Sequence, residues 1–481
     1  MMMKLRIGVA AIVVVAGVVL GLMIKAMAAQ DVETDMVVSD APTPIKVVSP
    51  AQLDYLDGLA DNLKKINTTC KQKCINAKKR GVAANGKDMR ASLQKLIDEA
   101  SKTSSTVYLS SGTYSIKGVL HLRSNVTLIG DGDKTVLRQM QANKELISIE
   151  NVRNVTLYNI KLDQSKVKHT TRESNHTVRI MNAASVQLNK LVIKGSVSKS
   201  EDEYGDAIYV AQKKLYSRKT EQIIAKDIII DGASRNGIAV VGGQNMLFSD
   251  ITLKNMNHRL NAALDIEPDS GAEVRNIKFQ NVEVNNENIH VWTETGSISN
   301  IILDRVRALN GRLVIKGKVN NVLFSNGSAP YVTIEVEKDE RLRPKNIKLL
   351  NSTFSNTKLK EVVFMSGENI AIENCIIKGG TEYGVRDVGM KGYFVLKNSQ
   401  VYNSKGNGVF LYRAPQIELI GNQVSDNNNY GVMLGNTSKA TVDTVVISGK
   451  NQFYNNGRDN IQIRLPKSKI YIGPEEQIEG F

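Results

Sequence analysis

Residues that cross-link or coordinate are scarce in this sequence. Its 481 residues include three cysteines and five histidines. Cys70 and Cys74 lie four apart in a polar, Lys-rich stretch, and Cys375 sits in an apolar strand pattern. Two cysteines without a nearby His or further Cys fall short of a four-ligand set, which excludes a zinc site there. A local Cys70–Cys74 disulfide, formed after export, is the reading that remains. Cys375 reads as a small buried hydrophobe. Helical periodicity is scarce too. No run of about ten residues at helical spacing fits between the strand-like segments, so strand–helix–strand winding is excluded. Few junctions have the Asn-Gly form of a hairpin turn, which counts against an antiparallel sandwich.

Long apolar runs are confined to the start. A basic opening, "MMMKLR", precedes the uncharged stretch Ile7–Ile24, and Ala26–Gln30 offers a small-residue cleavage site. That pattern is a secretory signal. The run of 18 residues is at the lower edge of a membrane span, so an uncleaved N-terminal anchor is the second reading. Either way the body is expected outside the cytoplasm, secreted or periplasmic. Any membrane contact would come through this segment alone. The net charge is +15; Lys4, Arg6 and Lys25 lie in residues 1–28, which hold no acid, so the remainder carries +12. An exported cation rarely meets nucleic acid. The expected anionic partner is an acidic polysaccharide or a membrane surface, and general solubility is the plainer explanation.

What the chain has in abundance is a repeat. Segments of alternating apolar residues open at Asn125, Asn154, Ser185, Gln222, Asn245, Asn276, Asn300, Asn321, Asn346, Asn369, Tyr393 and Gln416. From Asn276 to Asn369 the spacings are 24, 21, 25 and 23. A coil of about 22–25 residues with short strands is the signature of a parallel β-helix. Asn at each coil has two physical reasons. It tolerates the left-handed conformation of a tight turn, and its amide can bond the Asn of the coil below. Asp88–Ala100, with Leu93, Leu96 and Ile97 at helical spacing, supplies a helix to cap the first coil. The expected division is a signal or anchor at 1–28, a linker or accessory segment at 29–80, and an all-β helix of roughly a dozen coils at 81–481.

The stretch "GVAANGKDMRASLQKLIDEA" and the following Ser105–Arg138, with "VYLSSGTY" and "NVTLIGDG" in order, resemble the opening of the pectate-lyase-like right-handed β-helix superfamily. That superfamily includes rhamnogalacturonases, tail-spike depolymerases and alginate-epimerase modules. The resemblance covers about residues 81–465 and implies the fold far more firmly than a reaction.

Stacking the coils by their apolar pairs nominates a site. The inward pairs are Ile208/Val210, Ile238/Val240, Leu264/Ile266, Ile289/Val291 and Leu313/Ile315. The outward columns then read Tyr209, Ala239, Asp265, His290, Val314; Ala211, Val241, Glu267, Trp292, Lys316; and Ala207, Gly237, Ala263, Asn288, Arg312. Small residues before Asp265 leave room for a polymer. Asp265 and Glu267 share one strand face, about 6.6–7 Å apart, near the lower end of the carboxylate separation of inverting glycosidases. Asp265, Glu267 and His290 are therefore the candidate catalytic residues. Asp206, Tyr209, Arg235, His258, Arg259, Trp292, Arg312 and Lys316 are candidate substrate contacts.

Hydrolysis of an acidic polysaccharide is the leading expectation. A second chemistry is open to the same residues. The resemblance implies that lyases of this fold often bind calcium through carboxylates, here Asp265, Glu267 and Asp269. A basic side chain, His290, Lys316 or Arg312, would then abstract a proton. In the epimerase modules the comparable coil carries an Asp with a His two residues on. Here Glu267 takes the second place, so the His role falls to His290. The lyase "DH" and "RxPxxR" signatures and the polygalacturonase "NTD", "GDD" and "GHG" set are absent. A third possibility is a non-catalytic adhesive solenoid. Calcium is the only cofactor these readings call for, and the assembly is a monomer or a homotrimer.

Overall fold

In the computed structural model the chain winds into a parallel β-helix. The structure describes residues 55, 56, 58 and 74–476, apart from 171–174, 197–204, 214–218, 257–261, 436–441 and 466–468. Helix α1 (Arg90–Thr103) closes the first coils, burying Leu93, Leu96 and Ile97. Asp88 starts it, its Oδ1 accepting the Arg90 and Lys117 backbone N–H groups at 3.0 and 2.9 Å. The sheet begins earlier than the composition suggested. Cys74–Asn76 already pairs in parallel with Thr106–Tyr108, so the solenoid starts at 74, not 81. Cys74 is disulfide-bonded, whereas Cys70 lies outside the described residues. Cys375 is a free, buried thiol.

The Asn repeat does what its chemistry predicts. Asn125, Asn154, Asn245, Asn276, Asn300, Asn321, Asn346 and Asn369 all hold φ between 55° and 62°. Asn276 donates to Asn245, Asn300 to Asn276 and Asn321 to Asn300, at 2.9, 2.9 and 3.1 Å. The ladder slips one residue at Asn346, which donates to Asn320. At Tyr393 the turn is taken by Gly392 instead, with φ 66°. A second ladder runs along another edge, with Asn281 on Asp250 and Asn374 on Asn351.

One face carries the strands that matter for function. In order they are β1 (Val178–Met181), β2 (Ile208–Ala211), β3 (Ile238–Val240), β4 (Ala262–Ile266), β5 (Asn288–Ala308) and β6 (Arg312–Ser325). They continue as β7 (Tyr331–Glu335), β8 (Glu361–Met365), β9 (Tyr383–Asp387) and β10 (Asn407–Leu411). Each pairs in parallel with the next. All ten residues of the five expected inward pairs are fully buried, at 0 % exposure. Phe248, Phe279, Phe324, Phe354 and Phe394 fill the interior of neighbouring coils. A rigid, close-packed core of this kind fixes the outward residues of each rung about 4.8 Å from those of the next.

Candidate active site

The first outward column is as expected. Tyr209 stands beside Ala239, Ala239 beside Asp265, Asp265 beside His290, and His290 beside Val314. The other two columns need correction. β4 ends at Ile266, so Glu267 leaves the ladder before Trp292, and its N–H bonds the Val240 carbonyl at 3.2 Å. A bulge sets Ala262, not Ala263, beside Asn288. The small outward residues are not an open floor either. Ala211, Ala239 and Val241 are buried in a second apolar cluster with Met181, against which Tyr209 packs.

The acids do not form a solvated row. Asp265 is only 3 % exposed. The Glu267 carboxyl lies close enough for its charge to act on it. Two like charges in contact cannot both ionise at ordinary pH. Burial first, and then the Glu267 charge, push Asp265 up to about 8. Burial raises Glu267 as well, against the pull of Arg235. The pair therefore holds one proton between its members. Asp269 lies past Pro268, exposed, and is raised by burial. Among the described residues no three acids, His or Cys gather as a metal group would require. Asp265, Glu267 and Asp269, the set expected for calcium, do not gather around one point among the described residues.

Asn236 holds this pair in place, and the sequence reading missed it. Its Nδ2 donates to Asp265 Oδ2 at 2.9 Å, its N–H donates to Asp206 Oδ1 at 2.9 Å, and its Oδ1 accepts the Ala262 N–H at 3.2 Å. It follows Arg235 in "SRNG", where the sequence nominated Arg235 alone. Its rung position, directly above Asp206, was the available signal. Arg235 itself comes within 4.0 Å of Glu267, and the charges of Asp206, Asp265 and Glu267 raise its pKa against burial.

Asp206 and Tyr209 differ from expectation. Asp206 is buried, with His176 Nδ1 at 3.2 Å. Burial pushes it up, but His176, Arg235 and the Asn236 N–H outweigh that and hold it below the usual range. It supports Asn236. Tyr209 is half-buried and stacks on His176, ring centroids 4.1 Å apart. Burial first, then Asp269 and Asp206, keep its phenol protonated. His169 and His176, in the polar stretch Val167–His176, are both buried. His258 and Arg259 lie outside the described residues.

On the next rung His290 Nδ1 lies 3.9 Å from Asp265 Oδ1, and Nε2 has no hydrogen-bond partner. Burial, and then the Arg312 charge, lower His290 to about 4, so the imidazole is neutral. Trp292 stands edge-on to it at 6.0 Å. Trp292 is not the free stacking plate the sequence suggested. Its indole N–H donates to Glu337 at 2.7 Å, and Lys316 sits over its ring at 4.6 Å. Lys316 is likewise paired with Glu337, at 2.9 Å. Glu337 comes from the loop after β7, where no repeat pattern marks it. Arg312 is exposed.

A family model described as rhamnogalacturonase A/epimerase, pectate lyase-like, matches residues 74–287. A second, a right-handed beta helix region, matches 287–456. The chain belongs to the pectate-lyase-like superfamily of right-handed β-helices. Its handedness follows the rule for parallel crossovers. The superfamily fold recurs in solved structures. The N-terminal fragment of bacteriophage phi29 gene product 12 is 15% identical, with a TM-score of 0.51 over 85% of this chain and 75% of its own. The A-module of mannuronan C-5 epimerase AlgE4 from Azotobacter vinelandii is 16% identical, with a TM-score of 0.42 over 84% of this chain and 100% of its own. A tailspike protein of Acinetobacter baumannii bacteriophage Fri1, a capsular polysaccharide depolymerase, is 14% identical, with a TM-score of 0.45 over 83% and 65%. A comparison with curated proteins finds no match. The likeness to the phi29 fragment is one of fold.

Proposed function

We propose that this chain is an exported enzyme acting on an acidic polysaccharide, and that its first chemical step takes a proton from a uronate ring. The carrying observation is the contrast on adjacent rungs: a carboxyl held protonated at Asp265 beside an imidazole held neutral at His290. Groups whose environments push their pKa values apart are the usual acid and base of a site. Arg235 and the proton of the Asp265–Glu267 pair would neutralise the uronate carboxylate. That makes the ring proton next to it acidic, and His290 accepts it. The electron pair left behind can expel the neighbouring glycosidic oxygen, which takes a proton from water and leaves as an alcohol, giving an unsaturated end. Alternatively, water delivers a proton to the opposite face and gives the epimer. The family model, named for a rhamnogalacturonase and an epimerase, supports the substrate class.

Hydrolysis, with Asp265 as the proton-holding acid and Glu267 as the base that activates water, is the second reading, favoured by the raised pKa of Asp265. The deciding experiment incubates the protein with alginate and with polygalacturonate in heavy water. Ultraviolet absorbance of an unsaturated product, or deuterium at the abstracted position, is the expected result. Both signals should vanish in His290→Ala. New reducing ends without either signal would replace this reading with hydrolysis.

A further inference from the structure

Beside His290, a carboxylate of the protein itself sits where a cation and an N–H donor converge. Glu337 Oε1 accepts the Trp292 indole N–H at 2.7 Å and lies 2.9 Å from the Lys316 ammonium. Trp292 and Lys316 stand side by side on β5 and β6. The Glu337 side chain is only 11% exposed. Burial raises its pKa, but Lys316 and Trp292 outweigh that and hold the carboxyl below the usual range. Glu337 belongs to a strap, residues 336–343, that follows β7. Both ends of the strap are tied to later rungs. The Val336 N–H donates to Ser366 Oγ at 3.0 Å, and Arg343 donates to the Ser366 and Gly389 carbonyls. Within the strap, Arg343 meets Glu340 at 3.7 Å and Arg341 pairs with Asp339. Among the described residues, Glu337 makes the strap's only hydrogen bonds and ion pairs to earlier rungs.

We infer that Trp292 and Lys316 form a carboxylate-binding site, that Glu337 occupies it as an internal ligand, and that the carboxylate of a uronate sugar displaces Glu337 and releases the strap. An ammonium and an N–H donor hold a carboxylate through charge-assisted bonds. Glu337 carries the same functional group as a uronate, so the two compete for one pair of donors. Exchanging like for like never leaves Lys316 unpaired, the costly state for a cation taken partly out of water. Binding needs the strap open, so the apparent affinity is reduced by the fraction of molecules in which it is open. A neutral sugar brings no group to replace Glu337, and the strap stays closed against it. The inference rests on the acidic-polysaccharide part of the proposed function and not on its reaction.

Trp292 is the sole tryptophan, so its fluorescence reads this site directly. The full chain is titrated with D-galacturonate, D-mannuronate or neutral D-galactose, monosaccharides with no glycosidic bond to break. The two uronates should change the Trp292 emission, and galactose should not. Glu337→Ala should bind the uronates about tenfold more tightly than wild type, the gain from removing a charge-assisted competitor. Glu337→Gln keeps an acceptor for the indole N–H but gives up the ion pair, and should fall between the two. Lys316→Met should weaken uronate binding about tenfold. Unchanged or weaker uronate binding by both Glu337 variants would overturn the inference and leave the proposed substrate class standing. Galactose binding gained by Glu337→Ala would mark a steric cover, not an internal ligand, and would overturn it as well. No response of wild type or variants to either uronate would overturn the inference and the acidic-polysaccharide reading together.

Discussion

Single side chains set the pH behaviour. The proposed base needs neutral His290, which is lost as pH falls through about 4, and the neutralising proton needs Asp265, which is lost as pH rises through about 8. Activity should therefore follow a bell between those limits, measured as kcat/KM against pH. His290→Ala should lower kcat by about 10²–10⁴-fold, the usual range for a general base. Stability carries its own signature. Unfolded, Asp265 ionises near its ordinary value of about 3.9; folded, it keeps its proton far higher. Between those values unfolding releases a proton, so stability falls as pH rises. Asp265→Asn has no proton to lose. Between about pH 5 and about pH 8 the wild-type Tm should fall relative to this variant. Parallel curves would show that Asp265 is not buried as a protonated acid. Asn236→Ala should cost about 1–3 kcal/mol, because it strips buried Asp265 of its Nδ2 donor and the Ala262 N–H of its acceptor. It should also move the alkaline limb of the activity bell upward.

At the scale of the element, the strands were legible and the loops were not. Apolar residues at every second position settle which side of a strand faces the core, and a one-residue slip would reverse every side chain. That is why Asp265 could be set beside His290 before any coordinates. The rule stops where a strand stops: Glu267 was carried one position past the end of β4. Glu337 and Arg343 lie in a segment without period, where chain-specific contacts decide placement. The turn Asn residues are the most predictable part, and they can be tested. Asn300 holds φ 56°, donates to Asn276 and accepts from Asn321. Asn300→Ala should lose both bonds and strain the turn, at about 1–2 kcal/mol for the left-handed conformation alone. Asn300→Gly loses the bonds but keeps the conformation. The urea midpoint, followed by fluorescence of Trp292, the sole tryptophan, should rank wild type above Gly and Gly above Ala. Equal midpoints for the two variants would remove the turn argument.

Over the whole molecule, a solenoid converts sequence distance into a straight line of rungs. Arg235, Asp265, His290, Lys316 and Arg343 are far apart in sequence yet follow one another along one face. A globular core of the same length would bring such residues around a point and would bind a short ligand as well as a long one. A line of sites does not. Each added sugar that reaches a further rung adds contacts without changing the reacting end, so chain length should alter KM more than kcat. The net charge of +15 acts in the same direction over a longer range. At physiological ionic strength the Debye length is about 8 Å, shorter than the run of rungs a long polymer would cover. Added salt should then raise KM for a long uronate polymer steeply, and raise it for a trisaccharide only slightly. The measurement is KM against sodium chloride for the two substrates. Equal salt dependence would mean that the distal rungs take no part in holding the chain, and that catalysis is served by the rungs around Asp265 alone.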